Sequence, residues 1–376
     1  MEELKIQRYL RHHASEGCTL ERIAELLEAD FAISMKQSAK HPSLYLFKYE
    51  QIESQMGLAI VQECRGLILD SARNWEIVAY PFRKFFNHGE GHAAKIDWDT
   101  ARVQEKLDGS LMTVYWYSGQ WNVATSGNPD AAGEVNGCGF TFNELFWKAW
   151  YAQKLPMDMM EDKLTYMFEL TSPLNRVVVP HKETTLNLIG VRDITTGEED
   201  ATRFYTEFPR VQEFALNSFD GILSSFAVID GLRQEGYVVV DGYFNRVKVK
   251  HPQYVALHHL KDSMGGGNKS MVRIIMANEG SEFLTYFPEF KPMYDNLKDS
   301  FDKFIDGLDE VYEILYDAAN GNKGKVNRKE FALQATKTRL PGYFFARLDG
   351  RVTNVRDYIR TMQVDNVMIA LNLKEA

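Results

Sequence analysis

The chain has 376 residues, 45% of them apolar and 25% charged, with a formal net charge of −9. At about 150 residues per domain this is two domains with room for sizeable cores, and the composition excludes collagenous, low-complexity and wholly disordered chains. No apolar run approaches the roughly 18 residues of a membrane span, MEELKIQRYLRHH lacks the apolar stretch of a signal peptide, and three scattered cysteines (Cys18, Cys64, Cys138) build no disulfide framework. The expectation is an intracellular, cytoplasmic protein, with no membrane and no protein partner implied.

In chain order, residues 19 to 31 (TLERIAELLEADF) predict a helix. Thr19 is its N-cap, and Leu20, Ile23, Leu26 and Leu27 form one stripe. From Leu44 to about Lys250 the chain reads as short strands: LYLFKYE, GLILD, EIVAYPF, SLMTVYWY, WNVAT, YMFEL, RVVVP, LNLIGV, YVVV and RVKVK. A helical stretch near 141 to 155 interrupts them. Past Lys250 the period becomes 3.6. Leu297, Phe301, Phe304, Ile305, Leu308, Val311, Tyr312 and Leu315 share one helical face, and 268–278, 327–338 and 353–371 also read as helices. The expected architecture is α+β, with an antiparallel-sheet domain over 1–250 and an all-helical domain over 251–376.

Two features of the β region carry chemistry. Lys106-Leu107-Asp108-Gly109 stands immediately before a strand. Alone it is an Asp-Gly turn, but it also sets an amine at a strand lip, beside a carboxylate and a glycine that permits close backbone approach. The second feature is EGYVVVDGYFNRVKVK. A two-residue Asp241-Gly242 turn pairs Val240 with Tyr243 and Glu235 with Lys248. Lys248 and Lys250 then share a face with Glu235, while Val247 and Val249 point to the other. Without the lysine motif, this is as readily a solvated face with a cross-strand ion pair.

The motifs occur in the order of a known superfamily. Lys106-Leu107-Asp108-Gly109 resembles motif I of the covalent nucleotidyltransferases, the ATP-dependent DNA and RNA ligases and mRNA capping enzymes. Glu63-Cys64-Arg65-Gly66 and Lys84-Phe85-Phe86-Asn87 precede it. Phe168-Glu169-Leu170, Leu188-Ile189-Gly190-Val191-Arg192, Glu235-Gly236-Tyr237-Val238 and Lys248-Val249-Lys250 follow. The E-C-R-G, K-F-F-N and N-R-V-V (Asn175 to Val178) elements resemble the phage-type RNA ligase 1 family over about residues 45 to 250. That resemblance implies an ATP-grasp-like nucleotidyltransferase domain, with a helical C-terminal domain that governs RNA choice. It implies an RNA-repair enzyme joining 5′-phosphate and 3′-hydroxyl RNA ends, encoded by a phage acting in a host cytoplasm or by a cell.

The chemistry suits these residues. An amine attacking the α-phosphorus of ATP must be neutral, whereas an ordinary lysine has a pKa of about 10.4. Lys248 and Lys250 supply a cationic field that favours the neutral amine of Lys106 and stabilises the transferring phosphoryl oxygens. Mg²⁺ is the expected metal, with Mn²⁺ as a substitute. Asp108, Glu169 and Glu235 are the carboxylates available for its waters or a ribose hydroxyl. The resemblance assigns Glu169 to the ribose and Glu235 to the metal side, with Glu169 as a second metal candidate. It sends Arg65 and Lys84 to the outer phosphates, and Tyr49 and Gly109 to the nucleotide pocket. Each has a plainer reading. Arg65 is also a surface ion-pair partner, Lys84 a snorkelling core-edge lysine, and Glu169 the polar side of a strand.

Residues 321 to 360 hold ten basic and three acidic side chains, on a chain that is acidic overall. RNA contact is expected here, with Lys323, Lys325, Arg328 and Lys329 as candidates, and Arg176 as a further candidate for the 3′ end. Tyr343, Phe344 and Phe345 read instead as a buried aromatic cluster. His12-His13 and His258-His259 are adjacent pairs whose rings should point apart, so no chelate is expected there. Three alternatives stand beside the RNA ligase: an mRNA guanylyltransferase or a DNA ligase on the same core, and a catalytically inactive RNA-binding protein. The first two usually carry a β-barrel after K-V-K, where this chain reads as helical.

Overall fold

A computed structural model describes residues 2–51, 53–199, 207–260, 267–320 and 326–373. The chain opens on α1 (Lys5–Ser15), a helix the sequence reading passed over because its buried apolar face is only Ile6 and Leu10. In α2 (Leu20–Phe31) the Thr19 hydroxyl accepts the Arg22 N–H, the N-cap expected there. Ile23 and Leu27 are buried, but Leu20, placed in the same stripe, is exposed.

Strands β1 (Ile33–Gln37), β2 (Leu44–Tyr49), β3 (Arg65–Asp70) and β4 (Glu76–Ala79) form an antiparallel sheet in that order, with α3 (Ala59–Glu63) before β3. The helices cover one face through Leu10, Ile23, Leu27, Phe47 and Leu67. Glu63 anchors this layer, because its buried carboxylate accepts the Ile6 N–H at the start of α1. The other face packs Leu46 and Ile68 against Tyr115 and Ala124 of a second sheet.

Two short elements follow in the chain, β5 (Phe86–Asn87) and β6 (Arg102–Lys106). The second sheet then takes β7 (Ser110–Tyr117) and β8 (Gln120–Thr125), and after α4 (Phe142–Ala152) also β9 (Leu164–Thr171) and β10 (Thr185–Asp193), in the order β10-β9-β7-β8. Helix α4, closed by a Thr141/Glu144 capping box, covers its far face. The segment read as the strand RVVVP forms no ladder. The Val178 and Val179 N–H groups turn to the Asp108 carboxylate instead, which removes them from any sheet.

The third sheet adds β11 (Glu213–Phe214), β12 (Gly236–Val240) and β13 (Arg246–Lys250) in the order β11-β6-β12-β13-β5, with α5 (Phe219–Ser225) behind it. It is antiparallel except for β5 against β13, which is parallel.

After α6 (Pro252–Leu260), every described element is helical: α7 (Asn268–Met276), α8 (Gly280–Tyr286), a 3₁₀ turn at Pro288–Phe290, α9 (Lys291–Asn320), α10 (Arg328–Ala335), α11 (Pro341–Leu348), α12 (Val355–Arg360) and α13 (Val364–Ala370). The stretch 353–371, read as one helix, is two, because the chain breaks at Thr361–Gln363. Along α9, Leu297, Phe301, Ile305, Leu308 and Tyr312 are buried, whereas Val311 is exposed. Tyr343 and Phe344 are fully buried in the same core, and Phe345 packs against it. The chain divides into two compact units, Met1–His258 and His259–Ala376. No helix among the described residues is long and apolar enough to cross a membrane.

Candidate active site

The third sheet shows how the sequence builds a charged wall. Along β13, Val247 and Val249 are buried, while Arg246, Lys248 and Lys250 alternate onto the opposite face and line a cleft of about 550 Å³. The ladder sets Lys106 beside Gly236 and Gly236 beside Lys250. One row further, Gln104, Val238 and Lys248 stand abreast. The side-chain-free Gly236 therefore separates two lysines in one row.

The expected hairpin register differs. Val240 pairs with Arg246 and Val238 with Lys248, so residues 241 to 245 form the turn. Asp241 is the cause: its carboxylate accepts the Tyr243 and Asn245 N–H groups, the Asn245 amide and the Asp97 N–H. Glu235 thus lies just before β12, opposite His251 rather than Lys248, and its carbonyl accepts the His251 N–H. From there it still meets the lysines. Lys106 Nζ donates to Glu235 Oε2 at 2.6 Å, and Lys250 Nζ lies 3.5 Å from Oε1. The closest charged neighbour of Lys106 is a carboxylate, where the sequence reading stressed cations.

Glu169 on β9 enters the cleft from the second sheet. Burial pushes its carboxyl up to about 7; Lys106 and Arg65 pull it down, and Glu235 and Asp108 add to the rise. Gly109 also lines the cleft, and a side chain there would strike the Leu170 carbonyl, so glycine lets the Lys106 turn lie against β9.

Asp108 is not a cleft carboxylate. Its Oδ2 accepts the Val178 and Val179 N–H groups at 2.8 and 2.7 Å, and its Oδ1 accepts the Tyr254 hydroxyl at 2.8 Å. It fixes the lysine turn from behind. Tyr49 and Lys84 are not among the residues that line this cleft. Tyr49 is buried with the Lys84 ammonium 5.2 Å from its ring centroid, and Lys84 lines a neighbouring basin with Arg83, His92 and Arg246. Arg65 does reach the main cleft, its guanidinium carbon 5.3 Å from the Phe85 ring centroid.

Sequence reasoning missed Lys48, Gln104, Ser126 and Arg246 in the cleft lining. The period of two that joined Lys248 to Lys250 extends to Arg246, and that signal was available. Arg246 is held by Glu199, at 2.6 Å, which also pairs with Arg192.

Among the RNA-contact candidates, Arg176 is exposed and donates to the Val178 carbonyl, and Arg328 pairs with Asp349 at 2.7 Å. Lys329 is exposed, and Lys323 and Lys325 lie outside the described residues. The basic stretch is answered within its unit. Arg347 pairs with Asp309 at 2.9 Å and Arg356 with Asp302 at 3.4 Å, both acids from α9. Residues 259–376 hold seventeen basic and seventeen acidic side chains. The His12 and His13 rings do not point apart either: in the last turn of α1 they converge on Glu16, at 3.6 and 3.7 Å.

Residues 63–254 match the sequence pattern of a family described as RNA ligase. The chain is 27% identical to the RNA ligase of Rhodothermus phage RM378, over 82% of this chain and 85% of that one. It is 29% identical to a putative bifunctional polynucleotide kinase/RNA ligase of Autographa californica nuclear polyhedrosis virus, over 79% of this chain but only 44% of that longer protein. Among solved structures, an archaeal ATP-dependent RNA ligase aligns over 71% of this chain and 68% of its own, at 13% identity and a TM-score of 0.44. The family pattern spans half the chain and includes the lysine turn, the Glu169 strand and the Glu235/Lys248/Lys250 hairpin, and the chain belongs to the phage-type RNA ligase 1 family.

Proposed function

We propose that the protein is an ATP-dependent RNA ligase that seals 5′-phosphate to 3′-hydroxyl RNA ends through Lys106. The observation that carries this reading is the single row Lys106–Gly236–Lys250, gripped by Glu235 and faced by Glu169 within one cleft. In the first step the Lys106 amine attacks the α-phosphorus of ATP. A P–N bond forms, the bond to the β-phosphate oxygen breaks, and pyrophosphate leaves. Glu235, already hydrogen-bonded to Nζ, is positioned to take the proton. In the second step a 5′-phosphate oxygen of RNA attacks the same phosphorus, the P–N bond breaks and the lysine is reprotonated. In the third, the RNA 3′-hydroxyl loses its proton to solvent and attacks the 5′-phosphorus of the adenylylated end, and AMP departs with the bridging oxygen.

Lys248, Lys250, Arg246 and Arg65 supply positive charge where negative charge builds on the phosphoryl oxygens. Glu169 and Glu235 fit a Mg²⁺ or Mn²⁺ ion. Both are hard oxygen donors, Glu169 lining the cleft and Glu235 buried behind it against Lys106, and a carboxyl raised to about 7 is one that a nearby cation would hold ionised. Held there, such an ion would neutralise phosphate charge. We assign Glu169 also to the ribose side, the 259–376 unit to RNA recognition, and Arg176, Arg328, Lys329, Lys323 and Lys325 to RNA contact. The absence of any strand after Lys250 among the described residues supports a ligase of this family over a capping enzyme or DNA ligase.

The test is covalent labelling. Protein incubated with Mg²⁺ and alpha-labelled ATP should acquire label that Lys106→Ala abolishes. Label retained by Lys106→Ala, or a preference for GTP, overturns the reading.

A further inference from the structure

Lys48 lies outside every motif discussed above, yet it lines the same cleft as Lys106. Its position comes from a one-residue irregularity. Strands β2 and β3 pair Phe47 with Leu67 and then Lys48 with Arg65, skipping Gly66. Gly66 has φ +90, in the region that favours glycine, and a Cβ there would lie 3.1 Å from the Ser126 Cα. This is a β-bulge, a device that redirects a side chain. It brings Arg65 to the cleft directly opposite Lys48, beside Ser126 and Gly127.

Two like charges directly opposed across a ladder repel. Arg65 has the Phe85 ring and the field of Glu169 beside it, but no carboxylate forms an ion pair with either cation among the described residues. No hydrogen bond or ion pair reaches the Lys48 ammonium among the described residues. Arg65 Nη1 is shut off from solvent and has no hydrogen-bond partner among them. A buried guanidinium nitrogen without an acceptor is costly unless a ligand supplies one. The expected companion of Arg65, Lys84, lines the neighbouring basin instead.

We infer that Lys48 and Arg65 form a two-cation clamp for a terminal phosphate group. Lys48 is thereby a substrate-contacting residue of the ligase. The inference rests on the function proposed above and deepens it. An ammonium and a guanidinium on adjacent strands match the several oxyanions of one phosphate, and Arg65 brings a planar fork to the pair. Two sources share this chemistry: the outer phosphates of ATP and the 5′-monophosphate of RNA.

Inorganic pyrophosphate binding, followed by calorimetry on the full chain, reads the clamp without any covalent step. Lys48→Ala should weaken it by about 10- to 100-fold, the loss expected for one charge-assisted contact, and Lys48→Arg should restore most of it. Unchanged binding overturns the clamp. So does a loss that Lys48→Arg fails to rescue when it comes with a lowered melting temperature, because that marks a structural role. Two further rates name the source. A raised ATP requirement for labelling of Lys106 assigns the clamp to ATP. Normal labelling with slowed transfer of AMP to 5′-phosphorylated RNA assigns it to the RNA end. Failure of the function itself is read separately: Lys106→Ala would keep its label, whatever Lys48 does.

Discussion

Glu169 is a carboxyl group placed among cations yet held up to about 7, because burial outweighs Lys106 and Arg65. An unfolded glutamate titrates near the ordinary 4.5, so between those values the folded chain binds a proton that the unfolded chain has released. The stability this contributes is complete below about pH 4.5 and is lost as pH rises through about 7. Glu169→Gln keeps the shape and cannot ionise. It should narrow the gap in thermal midpoint between the ligand-free protein at about pH 5 and about pH 8; an unchanged gap assigns that titration to another group. Asp108 is the opposite kind of carboxylate, with every oxygen committed to the fold. Asp108→Ala leaves two backbone N–H groups and the Tyr254 hydroxyl without their acceptor, and should cost about 3 to 5 kcal/mol in a denaturant titration. Tyr254→Phe, which removes one donor and strands one oxygen, should cost about 1 to 2 kcal/mol. Comparable losses from the two variants would show that the Val178 and Val179 contacts carry little.

At the scale of elements, alternation within a strand was legible and register between strands was not. Lys248 and Lys250 share a face because β13 alone dictates it, so that expectation survived a wrong turn. The pairing with β12 depends on a five-residue turn held by Asp241, and one of its bonds comes from Asp97, far back in the chain. Nothing local announces that contact, and Asp-Gly favours the shorter turn. The same limit hid Lys48 behind the bulge at Gly66, where a single extra residue changes which side chains meet. The strand expected at RVVVP failed for another reason: its donors serve a buried carboxylate whose role no local pattern reveals. A capped helix start was easier, as at Thr19, since its chemistry lies within four residues, whereas α1, which starts after Leu4, carries no such signal. Thr141 caps α4 and Glu144 reaches back to close the box. Thr141→Ala should therefore lower stability by about 1 kcal/mol, measured as a shift in denaturant midpoint at constant slope.

Across the whole molecule, the hydrophobic clusters separate along the chain. One runs from Met271 to Leu373, and the others lie between Leu4 and Tyr254. Two cores invite two unfolding transitions. Phe344 is fully buried in the helical core, so Phe344→Ala should cost that unit about 3 to 5 kcal/mol and move one calorimetric transition. Labelling of Lys106 should persist below that transition, and equal movement of both transitions would mean that the units melt together. The net charge hides a similar division, because the helical unit is neutral in sum and the acidic excess lies wholly before it. The Lys106–Glu235 grip at 2.6 Å also matters when no substrate is present. With its nitrogen held against a buried carboxylate and only 21% of its side chain exposed, Lys106 is shielded from amine-reactive molecules in bulk solvent. If Lys106 is the nucleophile proposed above, breaking that contact is the first thing an incoming nucleotide has to bring about.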